Sequence, residues 1–92
     1  MSKAKSKVKE ANISSITISE KKLGREKALG ECYFGTGQIN IDPRQDSKEY
    51  LNTLIHEMAH LRMPEWDEQS IIDLATGFTE AIWAMGFRRI KD

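Results

Sequence analysis

The chain has few of the residues that stabilise secreted domains or span membranes. Its 92 residues include one cysteine, Cys32, so no disulfide can form within the chain, and a reducing compartment suits it. No apolar run approaches the roughly 18 to 20 residues that a membrane-spanning helix needs. The basic N-terminus is followed by no apolar stretch of a secretory signal. We therefore expect a cytoplasmic protein with no membrane partner.

Charge is balanced over the whole chain but unevenly distributed. Hydrophobic residues make up 39% of the chain and charged residues 30%, which is typical of a small globular domain. Lysines alternate through the first ten residues, and few apolar side chains accompany them. We interpret residues 1–11 as a flexible basic tail and residues 12–92 as one domain. The tail could contact nucleic acid weakly through phosphates, but no aromatic residue is interleaved with its lysines.

The order of periodic segments predicts an α+β fold. We expect a small antiparallel sheet of about three strands, packed on one helix and followed by a second, C-terminal helix. The glycines of Gly35-Thr36-Gly37 indicate a hairpin turn, and Asp46 and Asp67 are candidate helix N-caps. The predicted strands cover residues 12–19, 31–34 and 38–41, and the predicted helices run from about 47 to 62 and from about 67 to 85.

The two histidines of the chain, His56 and His60, lie four residues apart in the segment HEMAH. In a helix this spacing puts both imidazoles on one face, one turn apart. They lie opposite an apolar stripe that includes Leu54, Met58 and Leu61, whereas a packed core histidine would lie within such a stripe. A solvated polar face gives no reason for both histidines to take this spacing. The pattern therefore predicts a metal site.

The residue types around the histidines favour zinc chemistry. A catalytic Zn²⁺ usually has three protein ligands and one water, whose pKa it lowers while it polarises a substrate carbonyl. Glu57 follows a ligand directly and is not expected to coordinate the metal. We predict that Glu57 is the general base, which takes a proton from the water and delivers it to the leaving amine. The expected reaction is hydrolysis of a peptide bond or of another amide.

The segment LGECYFGTGQINIDPRQDSKEYLNTLIHEMAHLRMPEWDEQSI, residues 29–71, resembles the zincin metallopeptidases, whose active-site helix carries HExxH after a small sheet. It is similar to short SprT-like and ImmA/IrrE-like domains and to small metallopeptidase-like proteins that phages encode. The resemblance implies a minimal zincin, with His56 and His60 as zinc ligands and Glu57 as the catalyst. It also implies a phage-encoded protein that acts in a host cell.

The chain departs from the SprT-like pattern because it has no third histidine downstream of HEMAH. The resemblance to gluzincin-type and ImmA/IrrE-type sites then implies an acidic third ligand. Asp73 and Glu80 fall on the outer face of the second helix, whereas Asp67 and Glu68 fall in its first turn, near the buried side. Asp67 suits the N-cap and Glu68 has the longer reach. We predict Glu68 as the third ligand and keep Asp67 as the alternative.

Zincins place an extended peptide antiparallel to a strand beside the active-site helix. By this resemblance, strand 38–41 is predicted to bind a peptide or protein substrate through backbone hydrogen bonds. A second hypothesis is a zinc-stabilised interaction module without turnover, since a bound metal helps a small domain to fold. Glu57 argues against it, because a structural site needs no general base. In a third hypothesis the basic tail tethers the domain to DNA. The sequence leaves the oligomeric state open.

Overall fold

The computed structural model of the protein describes residues 10–13, 15–24 and 29–90. These residues form four strands and two helices, in the order in which the α+β prediction places sheet and helices. None of the described helices is long and apolar enough to cross a membrane. The elements are β1 Glu10–Ile13, β2 Ile16–Glu20, β3 Gly30–Tyr33, β4 Gln38–Ile41, α1 Ser47–Arg62 and α2 Glu68–Ala84.

The sheet has the strand order β1-β2-β4-β3. The β1/β2 and β3/β4 pairs are antiparallel, but β2 and β4 are parallel. The α+β class and the small sheet packed on the helices are confirmed, while the sheet is mixed rather than wholly antiparallel. The physical reason is that β3 pairs at the outer edge, so that β4 returns beside β2 in the same direction.

The segment 12–19, which was predicted as one strand, contains a turn. Ser15 has a left-handed backbone with φ 71°, so the chain reverses there and divides the segment between β1 and β2. β1 starts at Glu10 and includes Ala11, both of which the sequence placed in the basic tail. Residues 1–9, the rest of that predicted tail, lie outside the described residues.

The predicted hairpin between β3 and β4 is confirmed. Gly37 has φ 72° and donates its N–H to the carbonyl of Tyr33 at 2.9 Å. Its own carbonyl accepts from the N–H of Thr17 at 2.9 Å, which ties this hairpin to β2. A Cβ at Gly37 would collide with the carbonyl of Ser15. Glycine is therefore required both for the turn and for the close contact between the two turns.

Both helices begin and end where their capping residues predict. The side chains of Asp46 and Asp67 accept hydrogen bonds from backbone N–H groups three residues on, at 2.9 and 2.8 Å. α1 ends at Arg62, shortly before Pro64. After α2, the N–H groups of residues 86 and 87 donate to the carbonyls of residues 83 and 82, which is a Schellman ending.

The sheet and α1 share an apolar core. Ile16, Ile39 and Ile41 are buried at its centre, and α1 packs side chains of its predicted apolar stripe against them. α2 packs on α1 through a face that includes Ile71 and Ala75, both fully buried. The partly buried apolar residues around the sheet cluster are Ile18, Cys32, Tyr50, Leu54, Met58 and Leu61.

The buried face of α2 is not the one that its apolar spacing suggests. Helical spacing puts Phe78 and Met85 on the same side as Ile71 and Leu74, but they are 53% and 76% exposed. The face that contacts α1 is rotated, so that Thr79 takes a buried position with 2% exposure. The rotation follows from where α1 meets α2, which the periodicity of α2 alone cannot show.

Buried polar side chains fix α1 over the sheet. Gln45 donates to the carbonyls of Leu29 and Asp42 at 3.2 and 2.9 Å, and it accepts from the hydroxyl of Thr53 at 2.8 Å. These bonds join the open end of the β3/β4 hairpin, opposite its turn, to the second turn of α1. The position of α1 relative to β3 is therefore set by hydrogen bonds as well as by apolar packing.

The opposite side of α1 is tied to β2 and to the segment after α2. The Tyr50 hydroxyl donates to the carboxylate of Glu20 at 2.6 Å, and Arg89 pairs with the same carboxylate at 2.8 Å. The Arg89 guanidinium also lies 4.0 Å from the centre of the Tyr50 ring. Burial of Tyr50, followed by its bond to Glu20, raises the pKa of the phenol well above its usual value. The phenol thus stays a donor at neutral pH.

Candidate metal centre

The side chains of His56, His60 and Glu68 converge beside the turn between α1 and α2. The Nε2 atoms of the two imidazoles are 3.2 Å apart. One carboxylate oxygen of Glu68 lies 3.2 Å from His56 Nε2, and the other lies 3.1 Å from His60 Nε2. In the described part of the chain, these three residues form the one group of histidine, cysteine and acidic side chains with the spacing of a metal site.

These separations suit a small ion with tetrahedral coordination. Zinc with ligands at about 2.0 Å holds its donors about 3.3 Å apart. The nitrogen–nitrogen and nitrogen–oxygen distances of 3.1 to 3.2 Å are close to that value. The two nitrogen–oxygen distances involve different oxygens of Glu68, and one ligand atom from each of the three residues lies within 4.8 Å of the others. The Glu68 side chain is 60% exposed, so the ion would also have a side open to solvent.

The helical hairpin explains why these donors meet. α1 runs to Arg62, the chain reverses around Pro64, and α2 starts with Glu68, so the first turn of α2 lies beside the last turns of α1. Asp67 is engaged as the N-cap, where its bond to Ser70 keeps the pKa of its carboxyl below the usual value. The structure therefore places Glu68, not Asp67, beside the two histidines.

A metal-free ion pair is the simplest alternative explanation of this contact. Glu68 could pair with a protonated histidine, but exposed ion pairs contribute little to stability, about 0 to 1 kcal/mol. Such a pair also needs only one imidazole, whereas both Nε2 atoms here point to the same carboxylate and approach one another. A shared cation would satisfy all three groups at once. The donor set of two imidazoles and one carboxylate is typical of catalytic zinc.

Glu57 lies on the adjacent side of α1, away from the solvent-facing edge of the site. It is 9% exposed and faces β3, where the backbone of Gly30 approaches its side chain. Its carboxylate does not belong to the three converging donors. Glu57 is therefore not one of the candidate ligands, and its role as a general base stays a prediction.

Cys32 of β3 contacts Glu57. Burial, followed by the interaction with the Glu57 carboxylate and its charge, raises the thiol pKa to about 12. A thiol with this pKa stays protonated at neutral pH, so it does not act as a thiolate ligand. Cys32 therefore places a neutral thiol beside the carboxylate of Glu57.

Gly30 permits the close packing of β3 against α1. A Cβ at this position would lie 2.5 Å from the Thr53 methyl group and 3.3 Å from a Glu57 carboxylate oxygen. Both neighbours belong to α1, so a side chain on residue 30 would force α1 and β3 apart. No sequence pattern singled out this glycine, because its contacts lie more than twenty residues away in the chain.

We expect Gly30→Ala to destabilise the protein by about 1–3 kcal/mol, since the methyl group overpacks a tight contact. Chemical denaturation measures this free energy of unfolding. Gly35→Ala is the matched control, because a Cβ there would meet no atom within 4 Å and its φ is not positive. Equal stabilities of the two variants would show that the contact at Gly30 is loose.

The strand predicted to bind substrate has no free edge. Residues 38–41 form β4, which is hydrogen-bonded to β2 on one side and to β3 on the other. The prediction for this strand is wrong, because sequence order did not reveal that β4 is internal and β3 is the edge. Of the two edge strands, β3 is the one that contacts α1 and lies against Glu57.

A cavity of about 330 Å³ opens beside the N-terminal half of α1. Asn52 and Thr53, one turn before His56, form part of its wall, and Thr79 of α2 forms another part. Leu29, at the start of β3, also lines it. The cavity therefore borders the same two helices, α1 and α2, as the candidate metal centre.

Comparisons with known proteins identify no relative: no family model, curated protein or solved structure matches the chain. The function of this site must accordingly be argued from its own chemistry. The three converging donors and the buried acid on the adjacent side of α1 are the observations on which that argument depends.

Proposed function

We propose that the protein is a zinc-dependent hydrolase of peptide bonds. The observation that carries this proposal is the convergence of two imidazoles and one carboxylate: the two Nε2 atoms are 3.2 Å apart, and each of them has one oxygen of Glu68 within 3.2 Å. His56, His60 and Glu68 would hold Zn²⁺ as three protein ligands. No fourth donor joins them among residues 15–24 and 29–90, which leaves a position for water, as in catalytic sites.

The bound metal would supply an activated water and polarise the carbonyl of the substrate. Glu57 would take a proton from that water at a carboxylate oxygen and pass it to the nitrogen of the leaving amine. The side chain of Glu57 is shielded on the β3 side, which strengthens its interaction with the reacting groups.

An extended peptide would pair with the outer edge of β3. This strand carries Gly30 and Cys32, both of which approach Glu57, so a peptide on its edge would run past the general base. Backbone pairing of this kind recognises the peptide main chain with little dependence on sequence. This proposal replaces β4 with β3 and keeps the mode of binding that the resemblance implies.

The proposal also includes the cellular compartment in which the protein acts. A single, partly buried cysteine with its thiol protonated suits the reducing cytoplasm of a host cell. The rival hypothesis of a non-catalytic zinc module explains the three ligands but assigns no task to Glu57. DNA tethering depends on residues 1–9, which lie outside the described residues, and it stays a hypothesis.

The proposal is tested by incubating the zinc-loaded protein with a library of peptides from a digested proteome and detecting new termini by mass spectrometry. We expect cleavage that stops on removal of zinc with a chelator and returns when zinc is added back. The chelated protein, checked by circular dichroism for retained helix, is the control. Zinc binding without any zinc-dependent cleavage would favour the non-catalytic module.

A further inference from the structure

The cavity beside the N-terminal half of α1 has a buried polar group without a partner in its wall. Thr79 of α2 lines this cavity and is 2% exposed. Its hydroxyl oxygen is buried and has no hydrogen-bond partner in the described part of the chain. A buried hydroxyl that makes no hydrogen bond destabilises a fold, whereas valine would fill the same space without this cost. A ligand that bonds to the hydroxyl would account for threonine at this position.

A second polar side chain in the same wall is also free. Asn52 of α1 lines the cavity, and its side-chain amide makes no hydrogen bond to any described residue. Thr53, which also lines the cavity, differs from it, because the Thr53 hydroxyl donates to Gln45 at 2.8 Å. Two hydrogen-bonding groups, one from each helix, are therefore available to a molecule in the cavity.

The charged residues around the cavity indicate which kind of molecule it would bind. The carboxylates of Asp46, Glu49 and Glu80 line the cavity, together with one cation, Lys48. Lys48 pairs with Glu80 at 3.0 Å, which leaves Asp46 and Glu49 without a cationic partner among the described residues. The dipole of α1 favours acids at its start, but it does not account for the free hydroxyl and amide beside them. The excess of negative charge favours a cationic ligand.

We propose that this cavity binds the guanidinium group of an arginine side chain. A guanidinium is a planar fork with five N–H donors and no acceptor, so it can donate in several directions at once. The cavity offers acceptors on both helices: the carboxylate of Glu49 and the amide oxygen of Asn52 on α1, and the hydroxyl oxygen of Thr79 on α2. Its volume of about 330 Å³ lies at the lower end of the range for ligand sites, about 300–1,000 Å³.

The position of the cavity gives the arginine a place in the substrate, and this step rests on the proposed function. Gly30 of β3 faces α1, since a Cβ there would meet Thr53 and Glu57. In a paired strand, the residue directly opposite Gly30 points to the same face. That residue of a peptide on β3 would point toward α1 beside Thr53, which lines the cavity. The cavity is then the subsite that selects arginine near the bond that is cleaved.

Binding is tested without zinc or turnover, by titrating the full-length protein with arginine blocked at both ends and recording ¹H–¹⁵N NMR spectra. Blocked citrulline, which is the neutral isostere, and blocked lysine are the comparison ligands. Arginine should shift the signals of the Asn52 side-chain amide and the Thr79 backbone amide, and it should bind at least about 10-fold more tightly than citrulline, which lacks charge-assisted hydrogen bonds. Equal affinity for arginine and either comparison ligand, or no binding of arginine, would overturn the proposal.

Two variants locate the ligand in the cavity. Thr79→Val removes the hydroxyl and keeps the β-branched shape, so the affinity for arginine should fall at least about 5-fold while the melting temperature stays the same or rises. Glu49→Gln removes an unpaired carboxylate and should weaken binding by a similar factor. Glu65→Gln is the matched control, because Glu65 is an exposed glutamate that does not line the cavity. Wild-type affinity in both Thr79→Val and Glu49→Gln would place the ligand elsewhere.

The cleavage sites of the zinc-loaded protein test the role of the cavity as a subsite. In a peptide library we expect arginine to be enriched at one position relative to the cleaved bond, and Thr79→Val should reduce that enrichment. Cleavage without such enrichment would overturn the subsite and leave the hydrolase proposal intact. Arginine binding by a protein that cleaves no peptide would contradict the hydrolase proposal and support the cavity as a guanidinium site.

Discussion

Replacing Glu57 with glutamine should abolish peptide cleavage while zinc binding and the fold persist. Glutamine keeps the shape of the side chain at this 9% exposed position, and its neutral amide is compatible with the neighbouring Cys32 thiol. It cannot take a proton from water. General-base catalysis typically increases the reaction rate by about 10²- to 10⁴-fold, so we expect kcat/KM to fall by at least about 100-fold.

The rate is measured on a peptide that the wild-type protein cleaves, alongside zinc content and melting temperature. Glu65→Gln is the matched control, because Glu65 is an exposed glutamate that is neither a candidate ligand nor part of the cavity wall. It should retain the wild-type rate. Cleavage by Glu57→Gln at the wild-type rate would show that another group acts as the base, even if zinc is essential.

Replacing either histidine with alanine should remove most of the bound zinc. Wild-type protein purified with sufficient metal should hold one ion per chain, and losing one of three ligands should weaken affinity by at least about 100-fold. The basis is the geometry, since each imidazole lies 3.2 Å from the other and close to Glu68. Elemental analysis measures occupancy, and competition with a chelator of known affinity measures the dissociation constant. Full occupancy in His56→Ala and His60→Ala would rule out this site.

Two variants, Glu68→Ala and Asp67→Ala, test which of these neighbouring residues is the third zinc ligand. Glu68→Ala should weaken zinc binding strongly and leave the apoprotein nearly as stable as before, because the side chain is 60% exposed. Asp67→Ala removes the N-cap of α2 and should cost about 1 kcal/mol of stability with little effect on affinity. The reverse pattern would transfer the ligand role to Asp67.

Local signals in the sequence predicted the elements closely where each signal acts within a few residues. Asp46 and Asp67 mark the helix starts, and Gly35-Thr36-Gly37 marks the hairpin. Capping and turn preferences depend on the backbone of neighbouring residues, so tertiary contacts rarely override them. The turn at Ser15 was missed, because the β-branched residues on both sides of it resemble one continuous strand.

The candidate ligands were predictable for the same reason. His56 and His60 share a face through helical periodicity alone, which needs only the helix to form. Helical periodicity alone did not distinguish Glu68 from Asp67 as the third candidate ligand, because the two residues are adjacent in the sequence. The geometry of the N-cap decided between them: Asp67 turns its short side chain back to Ser70, and Glu68 extends toward α1.

By itself, the sequence determined the α+β order of elements, the helix boundaries and the shared face of the two histidines, because these follow from short-range periodicity and capping. Only the tertiary structure decided which strand is the edge, which face of α2 is buried, and which neighbours surround Glu57. β3 rather than β4 faces solvent, Phe78 points outward, and Gly30 and Cys32 meet Glu57. These features depend on contacts between residues far apart in the chain, and a single sequence contains no local signal for them.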